Sequence, residues 1–261
     1  MTHLEVDPHT HSIMSLHSYS TVEECALHAA AAGLHGFVVT DHCSLSMAQR
    51  ENSVEAIGNQ RILPEEIVGV RVWKGVEIDI VDEQGHLAFE DRPDRLNPSV
   101  TGAQALLPGL DFVIASVHLP FGSDRGTPER NAAMYCAVLR NPYVDVLGHT
   151  GRSGCVYELE PVLLEAKRLG KAIEINSSSL ENSPGSRKPC LEIARACRDL
   201  RVPITVSSDA HSAFQIGRFG EALRLLGDLQ FPEELIVNRT RESFENFVSA
   251  RHSRISLLLK I

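Results

Sequence analysis

Val6-Asp7-Pro8-His9-Thr10-His11 closes a short apolar run with two histidines, and the same pattern recurs along the chain. Strand-like runs are predicted at Leu4–Asp7, Gly36–Thr40, Val72–Ile80, Phe112–Ser116, Val144–Leu147, Ala172–Ile175 and Ile204–Val206. The second ends in Thr40-Asp41-His42, and the third contains Gly75-Val76-Glu77. The fourth leads into Ser116-Val117-His118, the fifth into Gly148-His149, and the sixth into Glu174-Ile175-Asn176-Ser177. The seventh reaches Ser208-Asp209-Ala210-His211. Buried parallel strands read as near-continuous apolar runs, as these do.

Between the runs lie helical patterns: Thr21–Gly33, Thr127–Arg140, Tyr157–Leu169, Pro189–Leu200 and Phe214–Leu226, with a last amphipathic stretch at Arg241–Arg251. Ser20 or Thr21, followed by Glu23 and Glu24, suits a helix start, and Gly33 and Gly170 suit helix ends. Regular strand–helix alternation implies a parallel sheet with helices outside. An open doubly wound sheet gathers its ligands at one switch point, whereas a closed barrel brings every strand end to one mouth. Polar groups at six of seven strand ends favour the barrel. The 261 residues suffice for one α/β barrel domain spanning residues 1–261.

Composition narrows the function. Hydrophobic residues make up 43% and charged residues 23%, which excludes collagen-like or largely disordered chains. A formal net charge of −9 repels polyphosphate backbones and argues against broad nucleic-acid binding. The six cysteines form no CxxC pair. Met1–Thr10 does not resemble an export signal, and the apolar runs are too short to span a bilayer. A cytoplasmic protein with reduced thiols is therefore expected. Pro and Asp residues between Asp91 and Gly109 suggest a surface connection.

His9 and His11 lie two apart on an extended segment, so both imidazoles share one face. With His17, His42, Glu77, His118, His149, Asp209 and His211 they make nine groups of the kind that bind zinc, manganese or iron. A single tetrahedral ion needs four at most, so nine suffice for two or three ions with a shared carboxylate. His3, His28, His35, His86 and His252 lack strand-end placement and are expected at the surface or in packing.

These motifs, together with His17-Ser18-Tyr19-Ser20-Thr21, Glu174-Ile175-Asn176-Ser177-Ser178 and Asp209-Ala210-His211-Ser212-Ala213-Phe214, resemble those of the PHP (polymerase and histidinol phosphatase) family, in its YcdX-like phosphatase branch. The resemblance covers most of the chain. It implies a distorted (β/α)7 barrel with three divalent ions, Zn2+ or else Mn2+ or Fe2+, at the C-terminal mouth. Carried over position by position, His9, His11 and Asp209 would hold the first ion, with Glu77 bridging to the third. His17, His42 and His211 would hold the second, and His118 and His149 the third.

Such a centre lowers the pKa of a bridging water and neutralises phosphate oxygens. The expected activity is hydrolysis of a small phosphate monoester by a metal-bridging hydroxide. Glu77, Asp209 and His211 are the expected catalytic residues. Asp7 and Asp41, beside ligand histidines, are candidates to orient an imidazole or carry a proton. A hydroxyl-rich loop after the sixth strand, Asn176 to Ser179, leads to Arg187 and Lys188, the expected phosphate clamp. Arg125 and Arg152 are further candidates. The alternatives are a nuclease or phosphodiesterase, or a non-catalytic metal-binding regulator. The expected partner is a small phosphorylated metabolite, with no membrane or nucleic acid; a homo-oligomer is compatible with this reading.

Overall fold

The computed structural model describes residues 3–44, 53–119, 121 and 125–258. Its strands are β1 (Val6–Thr10), β2 (Gly36–Val39), β3 (His42–Cys43), β4 (Glu66–Ile67), β5 (Val70–Asp79), β6 (Phe112–Ser116), β7 (Val146–Leu147), β8 (Ala172–Asn176) and β9 (Ile204–Ser207). Seven of them form one parallel sheet in the order β1-β2-β5-β6-β7-β8-β9. Short β3 continues the line of β2 along the upper half of β5, where His42 registers with Glu77. β4 folds back antiparallel on the lower half of β5.

The sheet nearly closes into a barrel between β1 and β9. At the upper end Thr10 and Ala210 form a parallel bridge, and the His11 N–H donates to the Ala210 carbonyl at 2.8 Å. Lower in the seam a buried side chain substitutes for missing ladder bonds. The Asn238 amide donates to the carbonyls of Val6 and Val206, both at 2.8 Å, and accepts the Val206 N–H at 2.9 Å. Asn238→Ala would strand three buried backbone groups, each worth roughly 1–3 kcal/mol when unsatisfied. The expected result is a loss of about 2–4 kcal/mol in unfolding free energy. A urea titration checks this, with a lowered midpoint and an unchanged slope expected.

Along each strand, alternate residues face the barrel interior. The lower interior is apolar. Val6, Val38, Trp73, Phe112, Ile114, Val146 and Ala172 pack with Phe244 and Val248 from the terminal helix Arg241–Leu258, which plugs this end. Trp73 meets Phe244 edge-on at 4.9 Å between ring centres. Arg251 of the same helix is buried and fully engaged. It donates to the carbonyls of Leu110 (3.0 Å) and Leu107 (2.6 Å) and pairs with Asp145 at 2.7 Å. Proceeding upward in steps of two, Trp73 gives way to Glu77 and Asp79, and Ile114 to Ser116 and His118. Period two therefore carries one face from an apolar floor to a polar mouth.

β1 departs from that period. Its register with β2 shifts between Asp7 and Thr10. The bulge moves the phase by one residue, so His9 and His11 join the interior face to which Val6 belongs. Gly148 meets a second requirement of the packed interior. A Cβ there would lie 2.1 Å from the Ser116 hydroxyl, so only glycine lets β7 approach β6 so closely.

Helices at Val22–Ala31, Pro128–Arg140, Leu159–Arg168 and Arg187–Leu200 match the expected amphipathic stretches to within a few residues. Thr21 and Glu24 complete a reciprocal cap at the first. Three expectations are corrected. The connection between Asp91 and Gly109 contains a capped helix, Gly102–Leu106, whose Ala103 and Leu106 are buried in the core. The stretch from Phe214 begins as a short 3-10 turn, Ala213–Gln215, and its helix starts only at Gly220. The loop after β8 is instead the helix Ser177–Asn182, capped by Asn176, whose side chain accepts the Ser179 N–H at 2.8 Å. All six cysteines are buried and none is joined to another in a disulfide. Among the described residues no helix is long and apolar enough to cross a membrane.

Candidate metal centre

The strand ends bring all nine sequence-predicted ligand residues to the barrel mouth. Glu77 is completely buried at their middle. Its carboxylate oxygens lie 3.3 Å from His9 Nε2, 3.6 Å from His11 Nε2 and 2.9 Å from His42 Nδ1. They lie 3.3 Å from His118 Nε2 and 2.8 Å from His149 Nε2. Asp209 Oδ1 sits 3.5 Å from His9 Nε2 and 3.3 Å from His11 Nε2. His17 Nε2 is 2.9 Å from His211 Nε2, and the His17 and His42 rings stack at 5.0 Å.

Three sets of donor atoms each fall within 4.8 Å: His9, His11 and Asp209; His42, Glu77 and His118; and His11, His42 and His211. The last set differs slightly from the resemblance, which placed His17 with His42 and His211. The structure puts His11 between the first and second groups and His17 against His211.

Two imidazole nitrogens facing each other, 3.1 Å apart for His9 and His11, must share a proton or a cation. Among the described residues, several buried atoms here have no partner in hydrogen-bonding geometry: both ring nitrogens of His42, Nε2 of His118, Nδ1 of His149 and Oε2 of Glu77. Such orphans are costly unless a cation takes their lone pairs. Nitrogen and carboxylate donors in this number suit divalent ions of the zinc, manganese or iron type.

Electrostatics point the same way. Burial opposes ionisation of Glu77, yet the positive potential of His118, His9 and His42 holds its carboxyl well below the ordinary range. Burial opposes ionisation of Asp209 as well, and His9, His11 and Arg152 hold it well below that range. Burial, with His211 and His42 nearby, lowers His17 to about 4. Burial works against the charge of His118 too, but Glu77 and Asp79 outweigh it and raise this imidazole to about 10. Ionised carboxylates are ready to bind metal, and an ion bound here would displace the protons that the carboxylates favour on His9 and His118.

Outer carboxylates hold the imidazoles in place. Glu174 accepts from His9 Nδ1 at 2.6 Å, from the His149 N–H at 2.6 Å and from the Ser207 hydroxyl at 2.5 Å. Asp79 accepts from His118 Nδ1 at 2.7 Å. Asp41 acts through a relay: the Ser15 hydroxyl donates to it at 2.6 Å and lies 3.1 Å from His11 Nδ1. Ser116 donates to Glu77 at 2.6 Å. Of the two aspartates predicted for this role, Asp41 fits. Asp7 accepts the N–H groups of Ser208 and Gly217 and the Ser208 hydroxyl, so it braces the last loop. Its burial pushes the carboxyl up to about 6. Glu174 and Asp79 were missed as site residues. Their only sequence signal is a carboxylate on the inward phase of an apolar strand.

His149 and Asp209 both have positive φ, 26° and 54°, a region that non-glycine residues occupy sparsely.

The clamp expectation is corrected. Arg187 is half-exposed at a helix start and pairs with Glu221 at 3.0 Å, and Lys188 extends into solvent toward Glu192. The helix Ser177–Asn182 takes up the residues that were expected to reach the mouth as a loop. Arg152 is the cation at the mouth, with Nη2 3.1 Å from Asp209 Oδ2. It lines a cavity of about 330 Å³ with His17, His118, His149, Ser153 and His211. Arg125 instead lies against Gly154. The histidines set aside are occupied elsewhere: His35 with Glu5, His86 with Asp82, His252 with Asp111 and His28 against Phe214.

The profile of the PHP domain matches residues 7–178. A probable phosphatase of Caldanaerobacter subterraneus subsp. tengcongensis is 39% identical over 253 residues, covering 97% of this chain and 94% of that protein. A probable phosphatase of Acetivibrio thermocellus is 38% identical over 250 residues, 96% and 97% of the two chains. Among solved structures, histidinol phosphate phosphatase from Lactococcus lactis, complexed with zinc, L-histidinol and phosphate, aligns with a TM-score of 0.56 at 19% identity. That alignment covers 87% of this chain and 94% of the other. A chain of archaeal ribonuclease P with mature tRNA aligns at TM-score 0.54 and 17% identity, over 94% and 90% of the chains. At these identities the structural likeness establishes the barrel and nothing finer.

Proposed function

Because this chain belongs to the PHP domain family, we propose that it is a metal-dependent phosphatase hydrolysing a small phosphate monoester, as one domain over its whole length. Relatives at 38–39% identity named probable phosphatases support the reaction class. The observation that carries the reading is Glu77, one buried carboxylate within 3.6 Å of five imidazoles. A carboxylate so surrounded is suited to bridging ions, and three ions account for all nine groups.

His9, His11 and Asp209 would hold the first ion, His17, His42 and His211 the second, and His118 and His149 the third, with Glu77 shared between first and third. Zinc is the favoured metal, on the donor set and on the zinc in the Lactococcus lactis enzyme. When bound, such ions acidify a water and neutralise phosphate oxygens. The chain's own residues do the rest. Arg152 binds a non-bridging phosphate oxygen through its guanidinium and helps keep Asp209 ionised. Asp209 Oδ1 faces the reacting centre while Oδ2 is held by Arg152 and by the Asn176 amide at 3.2 Å. Glu174 fixes the tautomer and tilt of His9 from behind.

The reading is tested by metal analysis of the purified protein together with phosphate release from a panel of phosphorylated metabolites. Bound divalent metal without release from any monoester would end it. Three substitutions refine it. Arg152→Ala is expected to lower kcat/KM by about 10–150-fold, the equivalent of a lost charge-assisted contact worth roughly 1.5–3 kcal/mol, at unchanged metal content. Arg187→Ala should leave kcat/KM at wild-type level. Glu174→Gln is expected to weaken metal binding by about 10–100-fold, read by competition with a chelating dye. Unchanged affinity would deny Glu174 its orienting role.

A further inference from the structure

Arg152 stands on the loop after β7, which runs from His149 to Tyr157 between two cavities. His149, Arg152 and Ser153 line the cavity at the mouth. Thr150, Gly151 and Cys155 line a separate cavity of about 130 Å³, shared with Leu159, Pro189 and Ile193 of the helices Leu159–Arg168 and Arg187–Leu200. A segment with a void beside it loses the contacts that close-packed atoms would supply. Directional bonds must then fix its position.

Two such bonds bracket Arg152. The Thr150 hydroxyl lies 3.0 Å from the Tyr157 hydroxyl, and the Ser153 hydroxyl lies 3.1 Å from that of Tyr135. Ser153 Oγ donates to the Thr150 carbonyl at 3.0 Å and accepts the Cys155 N–H at 3.1 Å. Its one proton is thus committed, so Tyr135 is the donor between the two hydroxyls. Burial pushes the Tyr135 phenol up, and it keeps that proton. Ser153 lines the mouth but has no proton left to offer a substrate. Tyr135 and Tyr157 are both buried, and their rings meet edge-on at 4.8 Å between centres. Phenylalanine would fill the same space, so packing does not call for either hydroxyl, and each is directed at the loop. Asn131 lies one turn before Tyr135 on the buried face of the helix Pro128–Arg140. Its amide donates to the Val156 carbonyl at 2.7 Å, and the Glu158 N–H donates to the Pro128 carbonyl at 3.2 Å. The same helix therefore holds the far end of the loop as well.

We propose that Tyr135 is a positioning residue for the phosphate contact: its hydroxyl, acting through Ser153, sets where Arg152 presents its guanidinium beside Asp209. The turn between the brackets is tight. The Arg152 N–H donates to the His149 carbonyl at 2.8 Å, so a displacement of Ser153 carries Arg152 with it. At the far side Arg152 Nη2 must stay 3.1 Å from Asp209 Oδ2, a spacing that a small shift of the loop would lose. This inference rests on the phosphate contact assigned to Arg152 above.

The test is a double-mutant cycle between Tyr135→Phe and Arg152→Ala on the metal-loaded protein. It reads the Kd of labelled inorganic phosphate, kcat/KM for an ester of the metabolite panel, and metal content. Tyr135→Phe alone is expected to weaken phosphate binding and to lower kcat/KM by about 3–10-fold, the effect of one lost buried hydrogen bond, at unchanged metal content. In the Arg152→Ala background the same substitution should change neither quantity. A tyrosine that only supports the fold would not give that non-additivity. Wild-type values in Tyr135→Phe, or an equal loss in both backgrounds, would overturn the proposal. Loss of metal in Tyr135→Phe would overturn it too, by placing the tyrosine behind His149 instead, and so would phosphate binding that Arg152→Ala leaves unaltered. Coupling in the phosphate-binding cycle without release from any ester would end the phosphatase reading and leave this one standing.

Discussion

Glu77→Gln is expected to release metal and abolish turnover together. The amide keeps the volume but loses the charge and offers one acceptor where two are needed. It would sit, itself fully buried, within 3.6 Å of five imidazoles. Loss of an outer hydrogen-bond partner typically costs about 10–100-fold, and loss of a shared ligand should exceed that. The measurement is metal stoichiometry by elemental analysis alongside phosphate release. Full metal occupancy in the variant would show that Glu77 is no bridge. Normal turnover would remove the centre from the reaction altogether.

Asp209→Asn is the second large effect, and it separates chemistry from folding. Asp209 adopts φ = 54°, where most side chains are strained but asparagine is well tolerated. The substitution therefore preserves the backbone, and the thermal midpoint should move little. The negative charge that faces His9 and His11, and that Arg152 helps keep ionised, is lost. Turnover should fall by at least ~100-fold, in the range seen when one charge-stabilising group is removed from a reacting centre. Asp209→Ala should add destabilisation, because alanine tolerates that φ less well. Wild-type kcat/KM in the Asp209→Asn enzyme would contradict the assignment.

The contrast between Arg152 and Arg187 shows how far local reading reaches. Both follow strands and both carry the fork that suits phosphate. Nothing in the spacing of Arg187 indicates that Asn176 would cap a helix, turning the supposed loop into the helix Ser177–Asn182 and leaving Arg187 to Glu221. A cap is a local signal, and Asn followed by three serines contains one. Reading those serines as a hydroxyl-rich phosphate loop gave weight to composition over capping geometry.

What the sequence alone determined is the parallel alternation of strands and helices, the barrel, and the nine groups at the strand ends. Each rests on a local cause: near-continuous apolar runs, helix stop signals, and polar residues that an apolar strand has no structural reason to carry. What only the tertiary structure decided depends on contacts between residues far apart in the chain. Asn238 reaches β1 and β9 across the seam from 232 and 32 positions away. Glu174 meets His9 from 165 positions away. The bulge in β1 sets which histidines face inward, a matter of register with β2 that the residues of β1 do not state. The nine candidate groups were legible because metal chemistry restricts residue type, whereas the groups that support them were not, because many residue types can accept a hydrogen bond and only closure of the barrel selects which one does.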